Sequence, residues 1–257
     1  MADLIALSKE YRKELFEKFL EVGQGHPGST FSMVEIATTL YHGGHVRLGK
    51  DKVLISKGHA TVTLYPILTK LGVIRKEEWN NWGSKSSCLR VFGNISIPGI
   101  DMTSGSLGHG IGVGAGMALA AKRDGNDKQI YVVISEGELY EGSTWEALLF
   151  SAHYTLDNLT IIIDTNNVMI LGKTDDCLSL NPIARKLSGF EFHIVSVDGH
   201  CTTEIDDALK TDTLLPKIIL AHTVKGKGFS IMEHKAKWHY WQGLSPDEIE
   251  QCRREIA

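Results

Sequence analysis

Four short runs in the second half of the chain are apolar or β-branched almost throughout: YVVIS at 131–135, NLTIIID at 158–164, FHIVSVD at 192–198 and KIILAHT at 217–223. A strand without polar alternation must be covered on both faces, and strands spaced by helical stretches are joined by crossovers. The pattern therefore calls for an α/β fold, a doubly wound and mainly parallel sheet with helices on both faces. KVLIS at 52–56 is a further short strand. Leu4, Leu7, Tyr11, Leu15, Phe19 and Val22 recur at helical spacing, so the chain opens on an amphipathic helix. Helices are also expected over 33–42, 60–72, 75–82, 141–156, 183–190 and 203–211. Another follows GSLGHG, its glycines allowing close backbone approach and Gly125 ending it. GQGHPGST at 23–30 reads as a loop, and 83–106 as an irregular excursion.

The length of 257 residues fits one α/β domain, expected over 1–232, with 233–257 as a C-terminal extension. A net charge of −4 with 42% hydrophobic residues excludes a disordered chain and a basic nucleic-acid binder. Cys88, Cys177, Cys201 and Cys252 are far apart, with no C-x-x-C pair. The amino end has no apolar core of signal-peptide length, and no run is long enough to span a bilayer. A cytoplasmic protein without membrane contact is expected.

Ligands of doubly wound sheets bind beyond the carboxyl ends of the strands. Ser135-Glu136-Gly137-Glu138 follows one strand and Asn166-Asn167 another. A carboxylate beside an amide oxygen suits a hard cation such as magnesium, yet an acid after a strand also suits the positive end of a helix, a reading that Glu138 and Glu141 fit better than Glu136. The Gly137 amide and the helix starting near Gly142 would favour a phosphate. His26, His59 and His239 lie in loops or at element ends, where each is either functional or simply satisfied by its neighbours. Lys225 sits in a glycine-flanked loop after a strand, as a ligand contact or a solvated cation.

Taken together, GHPGS at 25–29, SKGH at 56–59, GSLGHG at 105–110, EGELYEGSTWEA at 136–147, Asn166-Asn167, TVKGKG at 223–228 and the Trp238-His239 pair resemble the diphosphate-binding half of the transketolase family, in family order over residues 10–245. The resemblance implies thiamine diphosphate as cofactor with magnesium, or calcium or manganese, held by Glu136, Asn166 and the Val168 carbonyl. It implies that Ser29, His59, Gly137, Glu138, Lys225 and His239 contact the cofactor, that Gly105, Ser106 and Leu107 meet its aminopyrimidine, and that His26 and His239 act on the sugar. The implied reaction transfers a two-carbon ketol (glycolaldehyde) unit from a ketose to an aldose, on sugar or sugar-phosphate substrates.

Three departures stand out. Glu136 replaces a family aspartate, adding a methylene to a proposed magnesium ligand. Val91 or Phe92 stands where the family has a substrate histidine, which points to a different donor or acceptor, with Arg90 as a nearby anion reader or a solvated cation. No counterpart of the pyrimidine-binding domain is found in the 257 residues. The resemblance therefore implies a split enzyme with a second subunit carrying that domain, expected as a two-fold heterotetramer. Glu141 and Glu146 match acidic family positions near the contact between two active sites, or are surface carboxylates. A related thiamine-diphosphate carboligase of a biosynthetic pathway and a non-catalytic cofactor-binding subunit remain as alternatives.

Overall fold

The structure, a computed structural model, describes residues 3–257. Five strands, β1 (Lys52–Ile55), β2 (Ile130–Ser135), β3 (Leu159–Thr165), β4 (His193–Asp198) and β5 (Lys217–His222), form one sheet in the order β1-β2-β3-β5-β4. All four pairings are parallel. The carboxyl ends of the strands consequently share one edge of the sheet.

Alternate residues of the strands feed two cores, as expected for a sheet with no solvated face. Tyr131, Val133, Ile162 and Ile219 pack with α1 (Leu4–Val22), α3 (Val34–His42), α4 (Leu64–Lys70) and α10 (Thr202–Lys210). Val132, Ile134, Ile161 and Ile163 pack on the other side with α6 (Gly110–Arg123), α7 (Gly142–His153) and α9 (Ile183–Leu187). The glycines of α6 have the expected use: a Cβ at Gly114 would lie 2.4 Å from Val132 and one at Gly110 2.3 Å from Ser56. Gly125, at φ +64°, follows the end of that helix, and Asn126 N–H closes it onto the Ala121 carbonyl at 2.8 Å.

The elements differ from the sequence expectation in several places. Residues Pro27–Ser32, the first four of them expected as loop, form the short helix α2, because Pro27 sets the first helical φ and all six residues are buried. The helix expected over 60–72 begins as a 3-10 turn, Gly58–Thr63, before α4, and the one over 75–82 shortens to α5 (Lys76–Asn80). Between β3 and α9 lies an unexpected short helix, α8 (Thr174–Leu178). Residues beyond 232 form a 3-10 turn, Ala236–His239, and α11 (Pro246–Glu255). Ser245 and Glu248 cap α11 reciprocally, Arg253 pairs with Glu17 of α1 at 2.7 Å, and Cys252 is buried.

Candidate active site

The loops leaving β1, β2, β3 and β5 meet the 3-10 turn Ala236–His239 around a cavity of about 380 Å³. This is within the range of cofactor pockets, roughly 300–1,000 Å³. Its floor holds Glu136, at the start of the 3-10 turn Glu136–Tyr140 that follows β2. Neither Glu136 oxygen accepts a hydrogen bond, although the residue is 3% exposed. Burial pushes its carboxyl up to about 7, and the nearby Asn167 amide and Thr174 hydroxyl offset this only in part. An unpartnered buried carboxylate is costly unless a cation meets it.

Asn166 and Val168 line the same floor beyond β3. Asn167, at φ +59°, turns the chain between them, and Val168 N–H donates to Asn166 Oδ1 at 3.2 Å. The Val168 carbonyl accepts from Lys225 Nζ at 3.0 Å. One carboxylate, one amide oxygen and one carbonyl make an all-oxygen donor set of the kind hard cations take. Among the described residues no group of three His, Cys, Asp or Glu side chains offers an alternative metal cluster. Lys225 is 2% exposed, and burial lowers its ammonium to about 8.

Above this floor three imidazoles converge. The rings of His26, His59 and His239 lie 5.2 to 5.3 Å apart in every pairing. His59 Nε2 is 3.0 Å from Ser29 Oγ of α2, and Lys225 Nζ is 3.4 Å from His239 Nδ1. Gly28 permits this convergence, since a Cβ there would stand 2.8 Å from the Trp238 carbonyl, next to His239. Burial first, and the Lys225 charge second, lower His26 and His239 to about 4. The unfolded chain takes up these protons near 6.5 and the folded one only near 4, so stability falls as pH drops between those values. Histidine NMR titration of the free chain is expected to show both rings neutral at about pH 5.5. Midpoints at the ordinary value would contradict this packing.

The cavity also gathers Gly105, Leu107, Gly137 and Glu141, with Phe92, Tyr140, Met169, Ile170 and Tyr240 as an apolar and aromatic rim. The structure thus brings together His26, Ser29, His59, Gly105, Leu107, Glu136, Gly137, Asn166, Val168, Lys225 and His239. It leaves out two expected contacts. Ser106 is exposed and does not line the cavity. Glu138 is fully buried beneath it, accepting from Ser56 Oγ and from the Gly108 and Ser135 amides at 3.0 Å, which caps the turn. Phe92, not Val91, reaches the cavity, its ring edge-on to His26 at 5.7 Å, whereas Val91 packs on the core. Arg90 donates to the Ser87 and Leu89 carbonyls of its own loop. Glu146 lies outside, in a groove with His109 and Phe150.

Sequence reasoning missed the buried support of the floor. Asp164, fully buried near the end of β3, accepts from Lys57, Ser32 and Thr223, which arrive from β1, α2 and β5. Burial pushes the Asp164 carboxyl up, but the Lys57 ammonium and the hydroxyl donors outweigh it and hold it below the carboxylate range. Lys57 was visible inside SKGH, yet nothing in sequence tied it to a residue 107 positions away.

Comparison with known proteins bears on the family and the fold. The family model described as "Transketolase, thiamine diphosphate binding domain" matches residues 11–257. The chain is 34% identical to an apulose-4-phosphate transketolase subunit of Phocaeicola vulgatus, over 97% of this chain and 92% of that one. It is 35% identical to the 6-deoxy-6-sulfo-D-fructose transketolase subunit SqwG of a Clostridium species, over 92% and 90%. Among solved structures it superposes on Campylobacter jejuni transketolase with a TM-score of 0.90 at 26% identity, covering all of this chain and 43% of that one. The chain therefore spans less than half of the solved transketolase but most of the two subunits.

Proposed function

Because the chain belongs to the transketolase family of transferases, in its thiamine-diphosphate-binding part, we propose that it is the diphosphate-binding subunit of a two-chain enzyme moving a two-carbon ketol unit from a ketose to an aldose. The observation that carries this reading is the orphaned Glu136 carboxylate, buried in a cavity floor with Asn166 and the Val168 carbonyl. That donor set fits magnesium, with calcium or manganese as substitutes, and these three residues would hold it. Bound thiamine diphosphate supplies an electron sink for breaking the carbon–carbon bond beside a ketose carbonyl.

The remaining roles fall to this chain's side chains. Lys225, His59, Ser29 and the Gly137 amide surround the floor and are assigned to the diphosphate, with Gly105 and Leu107 beside the aminopyrimidine. Kept neutral by burial, His26 and His239 each offer one donor and one acceptor nitrogen to sugar hydroxyls, and so can pass a proton between them. We assign residues 1–232 to the sheet domain, of which 1 and 2 lie outside the described residues, and 233–257 to an extension that delivers His239. The second subunit brings the pyrimidine-binding domain, and the whole forms a two-fold heterotetramer. Two relatives carry names that include "subunit". The four cysteines are free, which fits the reducing cytoplasm, and among the described residues no helix is long and apolar enough to cross a membrane.

The test is to supply the two-chain complex with magnesium, thiamine diphosphate, a ketose and an aldose. An aldose lengthened by two carbons supports the proposal, and an acceptor returned unchanged from every ketose tried contradicts it. Phe92 bears on which ketose serves, because a phenyl ring next to His26 gives a hydroxyl no partner. Phe92→His is expected to raise kcat/KM for a fully hydroxylated pentulose phosphate by about tenfold relative to the natural donor. An unchanged ratio would remove Phe92 from donor selection.

A further inference from the structure

Lys225 is the pivot of the cavity, touching the Val168 carbonyl on one side and His239 on the other, yet it sits in a loop with two glycines at positive φ, Gly226 and Gly228. Such a loop is held only by its bonds. Thr223 is fixed from the sheet, through the Thr165 carbonyl at 3.3 Å and through Asp164. Gly226 N–H donates to the Gly28 carbonyl of α2 at 2.9 Å. Between them, the Val224 amide has a side-chain partner instead: it donates to His200 Nε2 at 2.8 Å.

That bond determines the tautomer. An amide can only donate, so Nε2 carries no proton and the ring proton sits on Nδ1. Nδ1–H points at Glu35 Oε2, 2.9 Å away. The other Glu35 oxygen takes the Arg12 guanidinium, whose Nη1 donates to the Phe31 carbonyl of α2 at 3.0 Å. All three side chains are close to nine-tenths buried, and His200 and Arg12 hold the Glu35 carboxyl below the ordinary range although burial pushes it up. A single chain of bonds thus runs from α2, which carries Ser29, through Arg12, Glu35 and His200 to the residue preceding Lys225.

We propose that His200, oriented by Glu35 and Arg12, is a positioning residue that sets the Val224–Gly228 loop and thereby the place of the Lys225 ammonium in the cavity. It contacts nothing in the cavity itself, and its effect is exerted through the Val224 amide. The positioning claim stands on these bonds alone. Only its consequence for the cofactor rests on the function proposed above.

Two variants separate the acceptor from the packing: His200→Met fills the space with no more than a weak thioether acceptor, and His200→Gln keeps an oxygen there. In the free chain, brief acetylation with acetic anhydride read by mass spectrometry should label Lys225 about tenfold faster in His200→Met, with Lys57 unchanged and His200→Gln close to wild type. In the two-chain complex the dissociation constant of thiamine diphosphate should rise about tenfold in His200→Met and recover in His200→Gln. Unchanged Lys225 labelling, or labelling of Lys57 rising in step, overturns the proposal. Faster Lys225 labelling with unchanged cofactor affinity sustains the positioning role and overturns the assignment of Lys225 to the diphosphate. If His200→Met does not fold, nitrogen NMR of wild-type His200 decides: a bare Nε2 supports the proposal, and a protonated one removes it.

Discussion

Replacing Glu136 by glutamine is expected to weaken magnesium-dependent binding of thiamine diphosphate by at least about a hundredfold while making the free chain more stable. The two effects have one cause. Both Glu136 oxygens are buried without a hydrogen-bond partner, so in the absence of a cation the carboxylate carries its full desolvation. Removing such a group's charge recovers about 1–3 kcal/mol of stability, whereas a cation that depended on it loses its only charged ligand in the set. Calorimetry of cofactor binding to the complex and urea unfolding of the free chain measure the two sides. A Glu136→Gln variant that binds cofactor like the wild type would show that the carboxylate does not hold the metal.

The second large effect lies beneath the site. Lys57 and Asp164 are both fully buried, and among the described residues no other cation forms an ion pair with Asp164. Lys57→Met is expected to destabilise the chain by about 3–5 kcal/mol, because it leaves a carboxylate buried without its counter-charge. The double variant Lys57→Met/Asp164→Leu should recover most of that loss, since neither charge then remains. Asn166 Nδ2 lies 3.5 Å from Asp164 Oδ2, so the single variant should also disturb the cavity floor and weaken cofactor binding. Urea unfolding of the two variants checks this. A single variant losing less than about 1 kcal/mol would place the pair among weak surface-like ion pairs and contradict its role.

These two effects differ in how legible they were. Glu136 was accessible from sequence because it follows a recognisable strand, where a doubly wound sheet binds ligands. Glu138, two residues on, carries the same chemistry and fits the positive end of a helix better than Glu136 does, although the resemblance assigns it to the cofactor. What separates them is the capping box with Ser135, which turns Glu138 under the loop and leaves Glu136 facing the cavity. The strands were legible because their apolar runs reflect burial on both faces, and α6 because its glycines admit the sheet. Helix α2 was not legible: Pro27, Gly28, Ser29 and Thr30 are loop residues by propensity, and only tertiary burial makes them helical. Helix α11 carried its signal in Ser245, Pro246 and Glu248, and was passed over because the end of the chain had no apolar run. The Lys57–Asp164 pair and the Arg12–Glu35–His200 relay join residues far apart in sequence, which no local pattern encodes.

Substrate selectivity follows the same division. The floor of the cavity is polar, whereas the rim of Phe92, Met169, Ile170 and Tyr240 is apolar and aromatic. Donor choice is therefore expected to reside in the rim and in the second subunit, and cofactor retention in the floor.

The most direct test of the account is native mass spectrometry of the tagged chain, purified gently from its own cells in magnesium and thiamine diphosphate. The account predicts a second, different chain in equal number and about one cofactor per pair, because each chain supplies part of one site. A chain that emerges alone and empty at saturating cofactor would contradict it.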